Sequence, residues 1–107
     1  MTEPVFTKDC PESEADDLTT DDPFMLVIQD FKFTPNCFIV RVSASIAIEN
    51  RDDVEHTFTI KGTVVDAPLA PHQTYSHGPS TGFLEPGTAY RFHCSIHPQI
   101  RGTMIVV

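Results

Sequence analysis

The residues best equipped for chemistry lie near the C-terminus, in the stretch YRFHCSIHPQIRGTM (residues 90–104). Cys94 and His97 stand two residues apart there, and another donor, His56, opens HTFTIK (56–61) upstream. A thiolate with two imidazoles is a soft-to-borderline donor set, which copper and zinc accept and magnesium or calcium do not. Spacing alone makes Cys-x-x-His a weak signal, because short pairs of this kind arise often by chance. Three residues after His97, where a last donor would be sought, the chain has Ile100, which has no donor atom. Each residue also has a plainer reading taken singly. His56 would be a hydrogen-bonded core histidine, Cys94 a small buried hydrophobe and His97 a loop residue. What decides is whether the elements bring the three together.

Those elements are short. FMLVIQ (24–29) and FIVRV (38–42) are apolar enough for buried or half-buried strands, and SIAIEN (45–50) puts Ile46 and Ile48 on one face. HTFTIK groups His56, Phe58 and Ile60 against Thr57, Thr59 and Lys61. TAYRFHC (88–94) groups Tyr90, Phe92 and Cys94, leaving Arg91 and His93 on the other face. GTMIVV (102–107) closes the chain as a β-branched run. Turn signals separate the runs at Thr34-Pro35-Asn36, Asn50-Arg51-Asp52-Asp53 and Glu85-Pro86-Gly87. No segment keeps a helical period for three turns. The expected fold is all-β, a β-sandwich or barrel over residues 23–107. APHQTYSHGPSTG (70–82) reads as an exposed loop, so His72 and His77 are expected to be ordinary surface histidines rather than a second metal site.

Residues 1–22 differ in character, with eight Asp or Glu against one Lys. Such a segment buries too little to order itself and is expected to be an acidic tail. Cys10 and Cys37 are the cysteines left once Cys94 is set aside. They are a candidate disulfide that would tether the tail and place the protein outside the cytosol; the alternative is two unrelated thiols. The net charge of −8 argues against nucleic acid, whose phosphates would repel it; it fits either partners with basic docking patches or acidity that serves solubility alone. No apolar run approaches the roughly 20 residues that span a bilayer. The first residues lack a basic start and an apolar core, so the chain reads as cytosolic or as a mature domain with an added Met1.

Strand parity unites the donors. His56 and Cys94 each lie on the apolar face at the end of their own strand, and His97 follows after a short loop. One thiolate and two imidazoles at the rim of an apolar core form a His₂Cys trigonal set, the blue-copper arrangement.

The sequence at this point resembles the cupredoxins, in particular the small plastocyanin-like and amicyanin-like bacterial group. The resemblance runs from about Phe24 to Val107. It is carried by FKFTPNCFIV, IENRDDVEHTFTI, FLEPGTAYRF and, most specifically, CSIHPQIRGTMIVV. It implies a Greek-key β-sandwich with one type 1 copper ion at one end, held by His56, Cys94 and His97. It also implies that Asn50 braces the Cys loop without being a ligand. In similar short-loop members the residue at Ile100 is the axial Met, so the expected site is three-coordinate, with Ile100 packed over the axial position. Among other groups, the Glu55 carbonyl, Met104, Met25 and Gln99 rank behind that reading, and His93 should point away. His97 would be the exposed edge through which electrons pass, beside Pro98 and Ile100, with Pro68, Leu69 and Pro71 as possible additions to an apolar patch. The function implied is a monomeric, extracytoplasmic one-electron carrier with a raised reduction potential, not an enzyme. The alternatives are a periplasmic copper chaperone or store, and a degenerate domain kept for protein contacts.

Overall fold

The described residues form ten strands, with one 3-10 turn at Glu12–Glu14 and no α-helix among them. The computed structural model describes residues 10–63, 65–79 and 84–107. In chain order the strands are β1 (Asp16–Asp17), β2 (Phe24–Gln29), β3 (Lys32–Thr34), β4 (Cys37–Val40) and β5 (Ile46–Asn50). They continue as β6 (His56–Ile60), β7 (Asp66–Leu69), β8 (Thr74–His77), β9 (Thr88–His93) and β10 (Arg101–Val106). One sheet has the order β1-β4-β10-β9-β6-β7 and the other β3-β2-β5-β8. Both are mixed, since β4 runs parallel to β1 and β10, and β2 parallel to β5.

The two sheets close on one core. Phe24, Leu26 and Ile28 alternate inward from β2, facing Phe38, Phe58, Phe92 and Met104 of the other sheet. The Phe92 ring lies 4.8 Å from Phe33, 5.2 Å from Phe58 and 5.7 Å from Phe38. Each such side chain contributes about 1.5–3 kcal/mol on leaving water. Gly102 is required by close approach. A Cβ there would lie 2.5 Å from the Phe92 ring and 2.6 Å from the Asn36 carbonyl oxygen.

Four strands were not anticipated, β1, β3, β7 and β8. β8 lies within the stretch expected to be an exposed loop, yet pairs antiparallel with β5 from Ile46↔His77 to Glu49↔Thr74. Its side chains are exposed except Tyr75, so it shows no inward alternation; backbone pairing alone makes it an edge strand. Pro68 likewise suits β7, which closes the edge of its sheet and needs no further N–H donor there.

The Cys10–Cys37 disulfide is present. From Cys10 onward the acidic stretch is held by more than that bond. β1 pairs with β4, Leu18 N donates to the Ile39 carbonyl at 2.9 Å, and Arg41 Nε reaches the Thr19 carbonyl at 3.1 Å. The first nine residues of the expected tail, and Phe83 of FLEPGTAYRF, lie outside the described residues. Among those residues no helix is long and apolar enough to cross a membrane.

Chain direction sets where chemistry can gather. β2 and β5 run together towards one end of the sandwich, where β6 begins, β9 ends and β10 starts. The β2–β3 turn, residues 51–55 and the 94–100 loop therefore meet at that end.

Candidate metal centre

At this end Cys94 Sγ lies 3.6 Å from His56 Nδ1 and 3.8 Å from His97 Nδ1. All three donor atoms lie within 4.8 Å of one another, with His56 and Cys94 buried and His97 half-buried. The register of β6 with β9, Thr59↔His93 and Ile60↔Phe92, carries the end of β9 back alongside the start of β6. A tight loop then returns His97. Cys94 N donates to the Ile100 carbonyl and Ile100 N to the His97 carbonyl, each at 2.9 Å. Thr57 fastens this loop from β6. Its backbone N–H points at Cys94 Sγ at 3.2 Å, and its hydroxyl accepts from Ser95 N at 2.8 Å. That contact fixes the sulfur where it faces the two imidazoles.

The preceding turn is braced by a buried amide. Asn50 Nδ2 donates to the carbonyls of Val54 (2.9 Å), Leu69 (3.2 Å) and Ala70 (3.1 Å), and Oδ1 accepts from Asp52 N at 2.9 Å. These contacts hold the turn that leads into His56, whereas the Cys94 loop is held by Thr57. Asp52 in turn reaches His56 Nε2 at 2.9 Å and accepts from the backbone N–H of Asp30 (2.8 Å) and Phe31 (3.0 Å). Burial opposes the charged form of Asp52. The bonds from Phe31, His56 and Asp30 together outweigh it and hold the carboxyl below its ordinary range. The Phe31 ring stands edge-on to both imidazoles, 5.2 Å from His56 and 5.0 Å from His97. Neither Asp52 nor Phe31 was singled out in the sequence. The only signal was their place in turns, which does not say what a turn will face.

Residues 8–106 match the family model described as a cupredoxin-like domain. The chain belongs to the cupredoxin-like family. Among solved structures, the Cu(I) form of an amicyanin variant superposes with a TM-score of 0.65 at 25% identity, covering 81% of this chain and 84% of that one. A purple cupredoxin from Nitrosopumilus maritimus gives 0.65 at 20% identity, over 81% of this chain and all (100%) of the other. A Cu-containing nitrite reductase from Thermus scotoductus SA-01 gives 0.62 at 20% identity, over 79% of this chain but 22% of that one. The last two likenesses concern the fold alone. No curated protein matches the chain.

The other residues of this cupredoxin considered from sequence divide clearly. Ile100 is 2% exposed and packs in the core cluster that includes Cys94, so it is not part of a surface patch. Leu69 is also fully buried (0% exposed) and adds nothing to such a patch, while Pro68, Pro71 and Pro98 are exposed. The large apolar groups on the surface beside the site are Phe31, Val54 and Ile96. Met104 is buried among Phe24 and Ile46, at the ends of β2 and β5 remote from the donors, and Met25 is exposed. Glu55 and Gln99 are exposed at the surface. His93 stands opposite Arg101 and Thr59 on the outer face. His72 and His77 are exposed, His72 against Asp53 at 2.7 Å.

Proposed function

We propose that this chain is a type 1 copper protein that passes single electrons between redox partners. The convergence of Cys94 Sγ with the Nδ1 atoms of His56 and His97 carries the reading. One thiolate and two imidazoles, all within coordinating reach, fit copper, which would supply reversible exchange between Cu(I) and Cu(II). His56, Cys94 and His97 would hold it. The supports are rigid: β6, the Thr57 bonds and the closed 94–100 loop keep the donors in one geometry. Little would then need to move when an electron passes.

His97 is half-buried and flanked by Ile96 and Pro98, with Phe31 across its ring, which suits an electron exit through its outer edge. Full burial of Cys94 and His56 favours transfer over substrate binding, so the reading is of a carrier and not an enzyme. Ile100 stands where the family resemblance would have the axial Met. Loss of that sulfur donor favours Cu(I) and raises the potential. The Cys10–Cys37 disulfide supports an oxidising, extracytoplasmic setting. The net charge of −8 supports docking, as a monomer, on partners with basic patches.

The test is visible absorption and EPR spectroscopy of the purified protein after one equivalent of Cu(II). An intense thiolate-to-copper band with small copper hyperfine splitting is expected, and its absence in Cys94→Ser is the control. A pale spectrum from the wild type would sink the proposal.

A further inference from the structure

Asp52 is a carboxylate outside the donor set, with its side chain only 11% exposed, and it serves two elements at once. One oxygen accepts from Asp30 N; the other is shared by Phe31 N and His56 Nε2. Asp30 and Phe31 form the turn between β2 and β3, and both have left-handed backbones, with φ of 55° and 58°. Two successive positive φ values fit the twist of a two-residue hairpin, but each costs a non-glycine residue about 1–2 kcal/mol. Phe31 is nonetheless bulky, 44% exposed and set edge-on against both imidazoles. Two strained, non-glycine positions persist because something outside the hairpin over-determines them. The carboxylate of Asp52 is that anchor.

The geometry points to Asp52 as a positioning residue that keeps the His56 proton on Nε2, leaves Nδ1 free to face Cys94 and His97, and pins Phe31 across both rings. The inference rests on the copper reading above for its consequence and on hydrogen-bond geometry for its cause. His56 is fully buried, so an Nε2–H without an acceptor would be a costly orphan. The neutral ring chooses between two tautomers, and an acceptor on one nitrogen selects the lone pair on the other. A carboxylate acceptor also makes the imidazole a stronger donor, which favours the more charged Cu(II). Asp52 thus opposes the effect assigned to Ile100.

Asp52→Ala removes every acceptor. Asp52→Asn keeps the volume and one oxygen, and so remains informative if the alanine variant does not fold. Asp53→Asn, next along the chain and bonded to exposed His72, is the control. In the metal-free protein, ¹⁵N-correlated NMR of the His56 ring should show the Nε2–H form. That form should lose its dominance in Asp52→Ala and partly in Asp52→Asn. Cu(II) affinity, measured by chelator competition, should fall about 10–100-fold, the potential should rise, and the control should stay at wild-type values. Wild-type tautomer, affinity and potential in a folded Asp52→Asn or Asp52→Ala protein would overturn the proposal. Should the wild type form no type 1 site while its His56 tautomer still depends on Asp52, the copper reading falls and the positioning role stands.

Discussion

Ile100 and Thr57 show how single side chains tune a shared set of donors. Ile100 is buried in the core cluster with Cys94 and brings no lone pair. Replacing it with Met supplies a thioether of similar volume, a swap that cores tolerate well. Under the copper reading, Ile100→Met should lower the reduction potential, measured by protein-film voltammetry. An unchanged or higher value would remove the argument that the missing sulfur matters. Thr57 works differently, since its hydroxyl receives Ser95 N and its backbone N–H faces the sulfur. Thr57→Val keeps the shape and the backbone donor but strands the Ser95 N–H. The loss should be about 1–3 kcal/mol in chemical denaturation, with a shifted charge-transfer band because the loop holding Cys94 loosens. A variant as stable as wild type would mean that Ser95 finds water instead.

Among the elements, β10 governs the loop that carries His97. Its start is crossed by the chain between β3 and β4, where Thr103 N donates to the Asn36 carbonyl at 2.8 Å. Gly102 permits that crossing. A methyl at this position would meet the Asn36 oxygen at 2.6 Å, and backbone cannot rotate aside as a side chain can. Gly102→Ala should therefore cost about 1–3 kcal/mol by overpacking. It should also disturb Cys94, whose N–H bonds to the Ile100 carbonyl just before β10. Urea melts and the amide NMR shifts of residues 94–100 check both statements. The β2–β3 hairpin is the matching element from the other sheet, and it brings Phe31 to the same end.

For the molecule as a whole, the Cys10–Cys37 bond joins residues 27 apart and sets the edge strand β1 against β4. Closing a loop of that size restricts the unfolded chain, by about 3–4 kcal/mol in the chain-entropy model. Cys10→Ser with Cys37→Ser should lose that much stability in denaturant while Cys94, His56 and His97 keep their geometry, since the site lies on other loops. The three ligand candidates should give the same Cu(II) spectrum in that variant. A spectrum that changed with the disulfide would show that the edge and the metal end are coupled.

Much of this architecture was legible in order of residues alone. Apolar or β-branched runs marked three of the strands and period-two alternation three more, because a half-buried strand must put apolar groups on one face. The same parity placed His56 and Cys94 inward, and Cys-x-x-His brought His97 back within a loop's reach. Edge strand β8 escaped notice because its side chains are nearly all exposed, and backbone pairing leaves no mark on side-chain type. Asp52, Phe31 and Thr57 escaped for a related reason. Their roles depend on which turn faces which across two sheets, on a pair of left-handed backbones, and on a carboxylate reaching 21 residues back along the chain to Phe31. Local sequence determines which face a residue occupies. Only the packing of one sheet's end against the other decides what that residue meets there.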